Sequence, residues 1–481
     1  MASDYGFRAE VLITGTEERL DSAQGNLQLW ERPWFIFLVA LGLRLAVVPF
    51  LVGEQLNPAR DHWVFGWETG RLARSLASGH GFGSPLFGWT GPSAWMAPGY
   101  PALLAGVFKL FGIYSIASAY VILSLNCLFA ALTCFPLRSI ARTAFGHWTG
   151  VTAAWAWALF PYSFDFAAGL VWSTALNALL LTVAVAVTVA LERKLSPFSW
   201  AAWGAMWGVI GLTEPSLLVC LPVAGVWLVA RERRRGMPWI FFWRTGFAAL
   251  LFVFVVSPWF VRNYRSLGHF VPLREGLGLM LYQGNTWDTF DLSPDWANPP
   301  HNPAEMAEYA RVGEFAYMTE KKEQAISEIR KHPARFAGTT MRRILFTWSG
   351  YWNLSPAYRR MEPFALPNIL MVSLLSVLAA RGLILTFRRH RRFAVLFAAL
   401  LVAFPAVYYI THPSMAYRHP VDPVLVLLGV SAFTVRTFKR ETRSQKSESG
   451  VALAESTRAL ASIEALKALT ARWTRSVLYL R

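Results

Sequence analysis

Two carboxylates in an aromatic-rich stretch are the strongest candidates for chemistry in this chain. Asp61 and Glu68 follow the first long hydrophobic segment. Near a membrane surface, burial among Trp and Phe side chains raises the pKa of a carboxylate unless a cation compensates its charge. Such a group suits a general base that takes a proton from a hydroxyl or an amine. The structural alternatives are a helix N-cap for Asp61 and an ion pair with Arg71 or Arg74 for Glu68.

Two more carboxylates, Asp165 and Glu214, lie at the ends of hydrophobic segments. An ionisable group at such a position costs free energy unless it is used or is hydrated at the level of the lipid headgroups. Both are therefore candidates for a functional site, and Asp165 is a candidate for contact with a substrate. Interfacial hydration is the alternative for each.

Basic residues at two further segment ends are candidates for binding a phosphate. Arg262 follows the hydrophobic run that ends near residue 260, whereas Tyr417, Arg418 and His419 precede the run that begins at residue 420. An arginine can hold a phosphate group through two parallel hydrogen bonds. The alternative is a contact with lipid or with a carboxylate inside a helical bundle.

The composition is that of a membrane protein. Of its 481 residues, 54% are hydrophobic and 16% are charged, whereas a soluble protein carries about a quarter charged residues. The formal net charge is +17, and its Arg and Lys residues form short clusters between the hydrophobic segments. This pattern favours membrane topology and anionic lipid headgroups over nucleic acid as the explanation of the charge.

Ten hydrophobic runs are predicted to span the membrane, so we predict an all-α polytopic membrane protein with about ten transmembrane helices. The predicted spans are 33–53, 115–137, 147–164, 167–190, 198–213, 216–230, 239–260, 366–387, 393–411 and 420–437.

The basic clusters predict the orientation of these spans. With ten spans, every cluster falls on the side of the N-terminal segment 1–32, which makes that side cytoplasmic. The first span is expected to act as an uncleaved insertion signal. The transmembrane domain then covers 33–437, with extracytoplasmic inserts at 54–114 and 261–365, and a cytoplasmic basic tail at 438–481.

Several helices are predicted outside the spans. Residues 63–78 have amphipathic helical spacing and suggest an interfacial helix, and 98–111 suggest a second interfacial or re-entrant helix. In the larger insert, 305–331 is predicted to form one or two solvated helices after a turn-rich linker at 298–303. Residues 451–481 resemble a basic amphipathic helix, with a disordered tail as the alternative.

Motifs of several enzyme and transporter classes are absent from the sequence. It has no Walker loop, no dinucleotide-binding glycine motif, no HExxH and no CxxC, which argues against a soluble nucleotide-sugar donor and against an ATP-driven pump. His301, His332 and His412 lack metal-ligand spacing, and the three cysteines lie in apolar segments. We therefore predict no cofactor, and a divalent metal is not indicated.

Four short motifs carry a family resemblance. They are WETGRLARSLASGHGF at 67–82, PGYPALLA at 98–105, PWFVRNY at 258–264 with Gly284-Asn285, and YRHPVDP at 417–423. Over about residues 33–437 the chain resembles the GT-C superfamily of membrane glycosyltransferases. It resembles most closely the bacterial relatives of the protein O-mannosyltransferases and of the lipid A aminoarabinose transferase.

The resemblance implies a catalytic mechanism. A sugar is carried on a polyprenyl phosphate, and a carboxylate of the first insert deprotonates the acceptor. The acceptor attacks the anomeric carbon with inversion, and the polyprenyl phosphate leaves. The acidic residue of the family is usually Asp, whereas Glu68 aligns best here and Asp61 lies earlier. Glu68 is therefore favoured as the base, with Asp61 as the alternative.

The resemblance also implies substrate contacts and a location. The protein is expected in the bacterial cytoplasmic membrane, among membrane lipids, with its active site on the extracytoplasmic face and with no nucleic-acid partner. The acceptor class stays open between a protein Ser or Thr, a lipid and a growing glycan. The predicted substrate-binding residues are Arg262, Arg418, Tyr264, Tyr417, His419, Asn285, Asp165 and Trp67.

Two other functions compete with the enzyme. A flippase for lipid-linked glycans predicts repeated half-domains and charged residues within spans. The sequence shows no internal repeat, and its candidate polar groups collect at one predicted face. A non-catalytic scaffold for envelope synthesis predicts that Glu68 and the arginines are dispensable.

Overall fold

The computed structural model describes residues 28–191, 196–233, 238–286 and 297–434. This part of the chain is built from helices, and its strand pairing is limited to an isolated bridge between Gly83 and Pro92. The predicted all-α polytopic class is confirmed. The predicted tail 438–481 lies outside the described residues, as does most of the N-terminal segment. All elements discussed below belong to a compact unit that ends at Ala432.

Twenty helices are bounded within the described residues, and a further helix begins at residue 422. In chain order they are α1 (Pro33–Leu51), α2 (Trp67–Ala77), α3 (Gly99–Phe111), α4 (Ile116–Leu132), α5 (Cys134–Phe145), α6 (His147–Ala158), α7 (Pro161–Ala168), α8 (Thr174–Leu191), α9 (Pro197–Thr213), α10 (Cys220–Arg233), α11 (Pro238–Leu267), α12 (Leu277–Asn285), α13 (Pro303–Val312), α14 (Glu314–Lys331), α15 (Pro333–Ser349), α16 (Pro356–Met361), α17 (Ala365–Arg389), α18 (Arg391–Ala403), α19 (Ala406–Ile410) and α20 (Met415–Arg418).

Six of the helical stretches within the described residues are long and apolar enough to cross a membrane. They are Pro33–Gln55, Ile116–Phe145, Thr174–Leu191, Phe242–Leu267, Ala365–Arg389 and Arg391–Ile410. The predicted number of ten spans is therefore not confirmed.

One predicted span divides into two helices. The run 147–164 forms α6 and α7, which are separated at Leu159 and Phe160 because Pro161 starts a new helix. Proline is favoured at the first position of a helix and disfavoured in its interior. The resulting turn brings Asp165 onto the short helix α7.

The helix α11 extends beyond the predicted end of its span. The hydrophobic run ends near residue 260, yet the helix continues through Pro258 to Leu267. Arg262 and Tyr264 therefore lie in its last turns, rather than in a loop that follows the span.

A buried arginine joins α1 to the turn that leads into α7. Arg44 is fully buried in α1 and donates hydrogen bonds to the carbonyl oxygens of Ala158 (2.9 Å) and Trp157 (3.1 Å) at the end of α6. It also donates to Ser163 Oγ, at 2.7 Å. Because the C-terminus of a helix carries partial negative charge, these carbonyls suit a guanidinium without a carboxylate partner. The contact fixes the position of α7.

The predicted helix at 63–78 begins four residues late, as α2 (Trp67–Ala77). Its buried face includes Leu72 and Ala73, and Ala73 packs in a core with Phe65 and with residues of α3 and α4. Gly70 allows the close approach of this helix to the Phe65 carbonyl, where a Cβ atom would clash. The helix predicted at 98–111 is confirmed as α3 (Gly99–Phe111), and its interfacial or re-entrant placement stays a prediction.

The two predicted inserts contact each other through a buried glutamate. Glu314, at the start of α14, accepts hydrogen bonds from the Ala94 backbone N–H at 2.6 Å and from the Tyr309 hydroxyl at 3.0 Å. The prediction of one or two helices over 305–331 is confirmed as α13 and α14. The first insert is therefore held against the second.

Candidate active site

Glu68 lies in the first turn of α2, partly buried and without an ion pair among the described residues. Its carboxylate accepts a hydrogen bond from the side chain of Asn298, which belongs to the second insert. Burial raises the pKa of Glu68 to about 7, although a backbone hydrogen bond and the Asn298 side chain act to lower it. A carboxylate with this pKa can both accept and release a proton near neutral pH.

Asp61 is held very differently, although it lies only seven residues earlier. Arg71 Nη1 donates to Asp61 Oδ2, and Arg74 Nη1 lies 3.3 Å from the same oxygen. Burial acts to raise the pKa of Asp61, but the hydrogen bonds and charges of Arg71 and Arg74 lower it below its usual value. Asp61 therefore stays ionised and charge-compensated, which makes it a weaker candidate for the base.

The pairing expected from local spacing does not form. Arg71 and Arg74 could have paired with Glu68 within the helix, but the described contacts direct both to Asp61. Asp61 does not cap α2 either, because the residue at the N-cap is Gly66 and no side chain caps the helix. The ion pairs leave the Glu68 carboxylate without a cation.

The backbone before Glu68 is strained. Asp61, His62 and Trp67 adopt left-handed conformations with φ of 47°, 55° and 46°, alongside Gly66 at 80°. A positive φ is unfavourable for residues with a Cβ atom, and such strain persists only where the surroundings fix it. Here the fixing contacts include the core packing of the buried Phe65. The strained segment sets where α2 begins and thus where Glu68 points.

Tyr417 is electrostatically coupled to Glu68. Burial raises the pKa of Tyr417 to about 12, with Arg274 acting to lower it and the charges of Glu68 and Glu214 acting to raise it. Its ring stacks on Tyr408 with centroids 5.0 Å apart. The predicted substrate-binding residue Tyr417 is therefore placed near the candidate base.

Arg274 is a cation of this region that the sequence interpretation did not single out. Its Nη1 lies 3.3 Å from Glu214 Oε1, and its side chain is 28% exposed. Glu214, considered from sequence as a free carboxylate at a span end, thus forms an ion pair. Arg274 follows a hydrophobic segment as Arg262 does, so the same argument applied further along the insert would have found it.

Arg418 and His419 lie in a fully buried polar cluster. Arg418 Nε donates to Asp422 Oδ1 at 2.9 Å, and its Nη1 donates to the Thr347 carbonyl at 3.1 Å. His419 Nδ1 lies 3.0 Å from Asp422 Oδ2, and its ring stacks on Trp157. Arg418 and His419 are 1% and 0% exposed. Arg418 Nη2 and His419 Nε2 have no hydrogen-bond partner among the described residues, and the role of both residues in binding stays a prediction.

Arg262 and Tyr264 lie in the last turns of α11 and differ in their contacts. The two terminal nitrogens of Arg262 donate to the carbonyls of Ser93, at 2.6 Å, and of Phe82. Its guanidinium also lies over the Trp259 ring. Arg262 therefore fixes the first insert to α11. Tyr264 is 62% exposed on α11.

Asn285 joins two helices of the second insert to α19, which lies outside that insert. It donates to the Ile410 carbonyl at 2.9 Å and accepts from Arg343 Nη1 at 3.2 Å. Its remaining described contact is to the Leu281 carbonyl. These bonds position α12 against α15 and α19, so the placement supports a structural role.

The tryptophans of the first insert divide into core residues and more exposed ones. Trp63 and Trp95 are 5% and 3% exposed and pack among side chains of both inserts. Trp67 is partly buried, and its ring meets Trp172 edge-on at 5.6 Å. The fourth tryptophan of this insert, Trp89, is 63% exposed, so Trp67 and Trp89 keep surface that could face a ligand.

A cavity of about 640 Å³ lies beside Tyr417. Asp165, Glu362 and His412 line it together with several aromatic side chains. His412 is 7% exposed, and its Nδ1 has no hydrogen-bond partner in the described structure. Burial and the charges of Arg343 and Arg274 lower the pKa of His412 to about 4, so its ring is neutral at pH 7.

The structure thus brings Glu68, Tyr417 and Asp165 to one region and adds Asn298, Arg274 and His412. Asn298 gave no signal in the sequence beyond a turn-rich linker, and its turn is confirmed as a short 3₁₀ helix over Pro299–His301. Among the described residues, no group of three or more His, Cys, Asp or Glu side chains is arranged to hold a metal ion.

No protein-family model matches the chain, and no curated protein sequence matches it. Solved structures of an oligosaccharyltransferase from Archaeoglobus fulgidus are similar. One, in complex with Zn and sulfate, has 13% identity over 85% of this chain and 50% of its own, at a TM-score of 0.49. Another, of AglB with an inhibitory peptide and a dolichol-phosphate, has 13% identity over 86% and 52%, at 0.47.

A third structure of that enzyme, tethered to an acceptor peptide containing the NVT sequon, has 13% identity over 83% of this chain and 50% of its own, at a TM-score of 0.47. The chain thus spans about half the length of the structures it matches. At this level of similarity these structures carry no argument about function.

Proposed function

We propose that this protein is a membrane glycosyltransferase that moves a sugar from a lipid-linked donor to an extracytoplasmic acceptor. The observation that carries the proposal is the state of Glu68. It is a partly buried carboxylate without an ion pair among the described residues, with a pKa of about 7. Groups tuned in this way are concentrated at catalytic sites. The helices that could cross a membrane supply an apolar surface for a lipid chain.

In the proposed reaction, Glu68 accepts the proton of an acceptor hydroxyl or amine. The acceptor atom then forms a bond to the anomeric carbon of the sugar, and the bond from that carbon to the phosphate oxygen breaks. Because the acceptor enters opposite the leaving group, the configuration at the anomeric carbon inverts. The donor is a polyprenyl-phosphate sugar, and the second product is polyprenyl phosphate.

Other residues of the region have supporting roles in this proposal. Asn298 orients the Glu68 carboxylate by donating a hydrogen bond to it. Arg274 is the cation that we propose stabilises the leaving phosphate. Its Nη1 donates to Glu214, so its Nη2 can donate to a phosphate oxygen. We propose a location in the bacterial cytoplasmic membrane with the site on the extracytoplasmic face, in keeping with the distribution of basic clusters.

The test is a transfer assay with purified protein in lipid nanodiscs. Radiolabelled polyprenyl-phosphate hexoses are mixed with the protein and a membrane extract, and both labelled product and released polyprenyl phosphate are measured. We expect the wild type and Asp61→Asn to transfer the sugar, and Glu68→Gln to lose transfer. Glu323→Gln is the matched control, because Glu323 is an exposed carboxylate on α14.

Each other outcome counts against part of the proposal. Loss in Asp61→Asn with retention in Glu68→Gln moves the base to Asp61. Full transfer by both variants excludes a base from this segment. If the wild type releases no polyprenyl phosphate from any donor, yet moves labelled lipid across the bilayer of sealed proteoliposomes, the protein is a flippase.

A further inference from the structure

We propose that the cavity beside Tyr417 is a sugar-binding subsite that accepts neutral or cationic sugar rings and excludes anionic ones. This inference rests on the proposed function and adds to it a selectivity for the charge of the sugar. The cavity lies between α7, α16, the start of α17 and the segment 412–417. Its volume of about 640 Å³ falls in the range of small-molecule sites, about 300–1,000 Å³.

The charges of the cavity favour an occupant without negative charge. Asp165 and Glu362 both line it, and no Lys or Arg is among the lining residues in the described part of the chain. Burial raises the pKa of Asp165, and the nearby charge of Glu362 raises it further, against an opposing effect of His419. Arg343 and Arg274, the cations that act on His412, are not among the lining residues. A phosphate or a carboxylate in this space therefore meets the two carboxylates without a lining cation.

A buried histidine provides an unused hydrogen-bonding group. His412 lines the cavity, is 7% exposed, and has no partner for its Nδ1 in the described structure. A buried polar atom without a partner is costly, so such an atom beside a cavity points to a ligand that satisfies it. Neutral imidazole has one donor and one acceptor nitrogen, which matches a sugar hydroxyl.

Aromatic side chains form the apolar walls. Tyr162 and Phe166 stack with ring centroids 5.4 Å apart on α7, and Tyr351 meets Tyr358 edge-on at 5.1 Å. All four rings line the cavity. Aromatic faces pack against apolar C–H surfaces, while the carboxylates and the imidazole bond to hydroxyl or amino groups. A sugar ring presents both kinds of surface.

The test measures binding without catalysis. Saturation-transfer NMR and competition titrations use the full chain in nanodiscs with three methyl glycosides. One is an uncharged hexoside, the second is an aminohexoside, and the third is a hexuronate whose carboxylate is free. We expect the wild type to bind the first two and not the hexuronate. In the Asp165→Asn/Glu362→Gln double variant, affinity for the aminohexoside falls about tenfold or more, and hexuronate binding appears. Glu323→Gln is the control, and thermal melting verifies that each variant is folded.

Competition experiments distinguish a donor sugar from an acceptor sugar in the cavity. If polyprenyl-phosphate hexose displaces the methyl hexoside and polyprenyl phosphate alone does not, the cavity holds the donor sugar; if neither displaces it, the cavity holds an acceptor sugar. The proposal is overturned if no glycoside binds, if the hexuronate binds as well as the hexoside, or if the double variant changes nothing. Glu68→Gln is expected to keep glycoside binding, so failure of catalysis and failure of this subsite are distinguishable.

Discussion

The cluster of Arg418, His419 and Asp422 and the segment around Glu68 show two opposite ways of placing charge in one protein. Asp422 is fully buried, yet an arginine and a histidine satisfy its oxygens. Glu68 is less buried but has no cation among the described residues. Compensated charge joins helices together, whereas uncompensated charge is available for proton transfer. The family-like motif at 417–423 therefore contains structural residues next to Tyr417, which faces the cavity.

The largest effect is expected from removing the uncompensated charge. Glu68→Gln should lower kcat/KM for sugar transfer by about 10²–10⁴-fold, the usual contribution of a general base. The thermal midpoint should stay near that of the wild type, since no ion pair is lost. Transfer kinetics and melting of the same preparation measure both. A large fall in the melting temperature would instead assign Glu68 to structure.

Removing the compensated charge of Asp422 should reduce stability, whereas removing the charge of Glu68 should reduce transfer. Asp422→Asn leaves Arg418 as a buried cation without its carboxylate, which typically costs about 3–5 kcal/mol of stability. Denaturant or thermal unfolding in detergent measures the loss, with Glu323→Gln as the exposed control. A stable Asp422→Asn protein that has lost transfer would show that this cluster acts directly on substrate.

The pH dependence of transfer should report the titration of Glu68. Its pKa is raised to about 7, so the active ionised form is lost as the pH falls. We expect kcat/KM to decline about tenfold per unit below pH 7 and to level off above it. Asp61→Asn should keep this acidic limb. A profile flat down to pH 5 would contradict the assignment of the base.

The smallest effect is expected from Asp61→Asn. The Asp61 side chain is 57% exposed and the Arg74 side chain 31% exposed, whereas the Arg71 side chain is buried. In the variant Arg71 still donates to the Asp61 backbone carbonyl, and Asn keeps a side-chain oxygen that can accept from it. The lost charge interaction is therefore smaller than that of the fully buried pair of Arg418 and Asp422. Transfer should fall less than tenfold, since Arg71 and Arg74 lose a partner that helps to hold the strained segment. A loss as large as that of Glu68→Gln would remove the distinction between the two carboxylates.

Prediction from sequence succeeded where the pattern is local. The amphipathic run at 98–111 became α3, and the charged run at 305–331 became two helices, because periodicity alone determines which face of a short helix is buried. Prediction was less successful for the number of membrane spans, which depends on the length of each helix. The run 147–164 divides at Pro161, so the number of ten spans is not confirmed.

The substrate-binding predictions show how little of a distant contact can be read from sequence. Arg262 and Arg418 were selected as basic groups at the ends of apolar segments, and Asn285 from the family resemblance. Their partners come from other elements, such as the Ser93 carbonyl for Arg262. Sequence spacing carries no information on such distant pairings. His412 was considered only as a metal ligand, because its unused nitrogen is visible only in three dimensions.

The sequence by itself determined that the chain is an all-α membrane protein and that a carboxylate at 61 or 68 is a candidate base, because composition and short-range spacing suffice for both. Only the tertiary structure shows that the two carboxylates have different partners. The left-handed turn before α2 lets Arg71 and Arg74 reach Asp61, and the second insert places Asn298 on Glu68. The decisive quantity is the electrostatic environment, which depends on what packs around a charge and not on what precedes it in the chain.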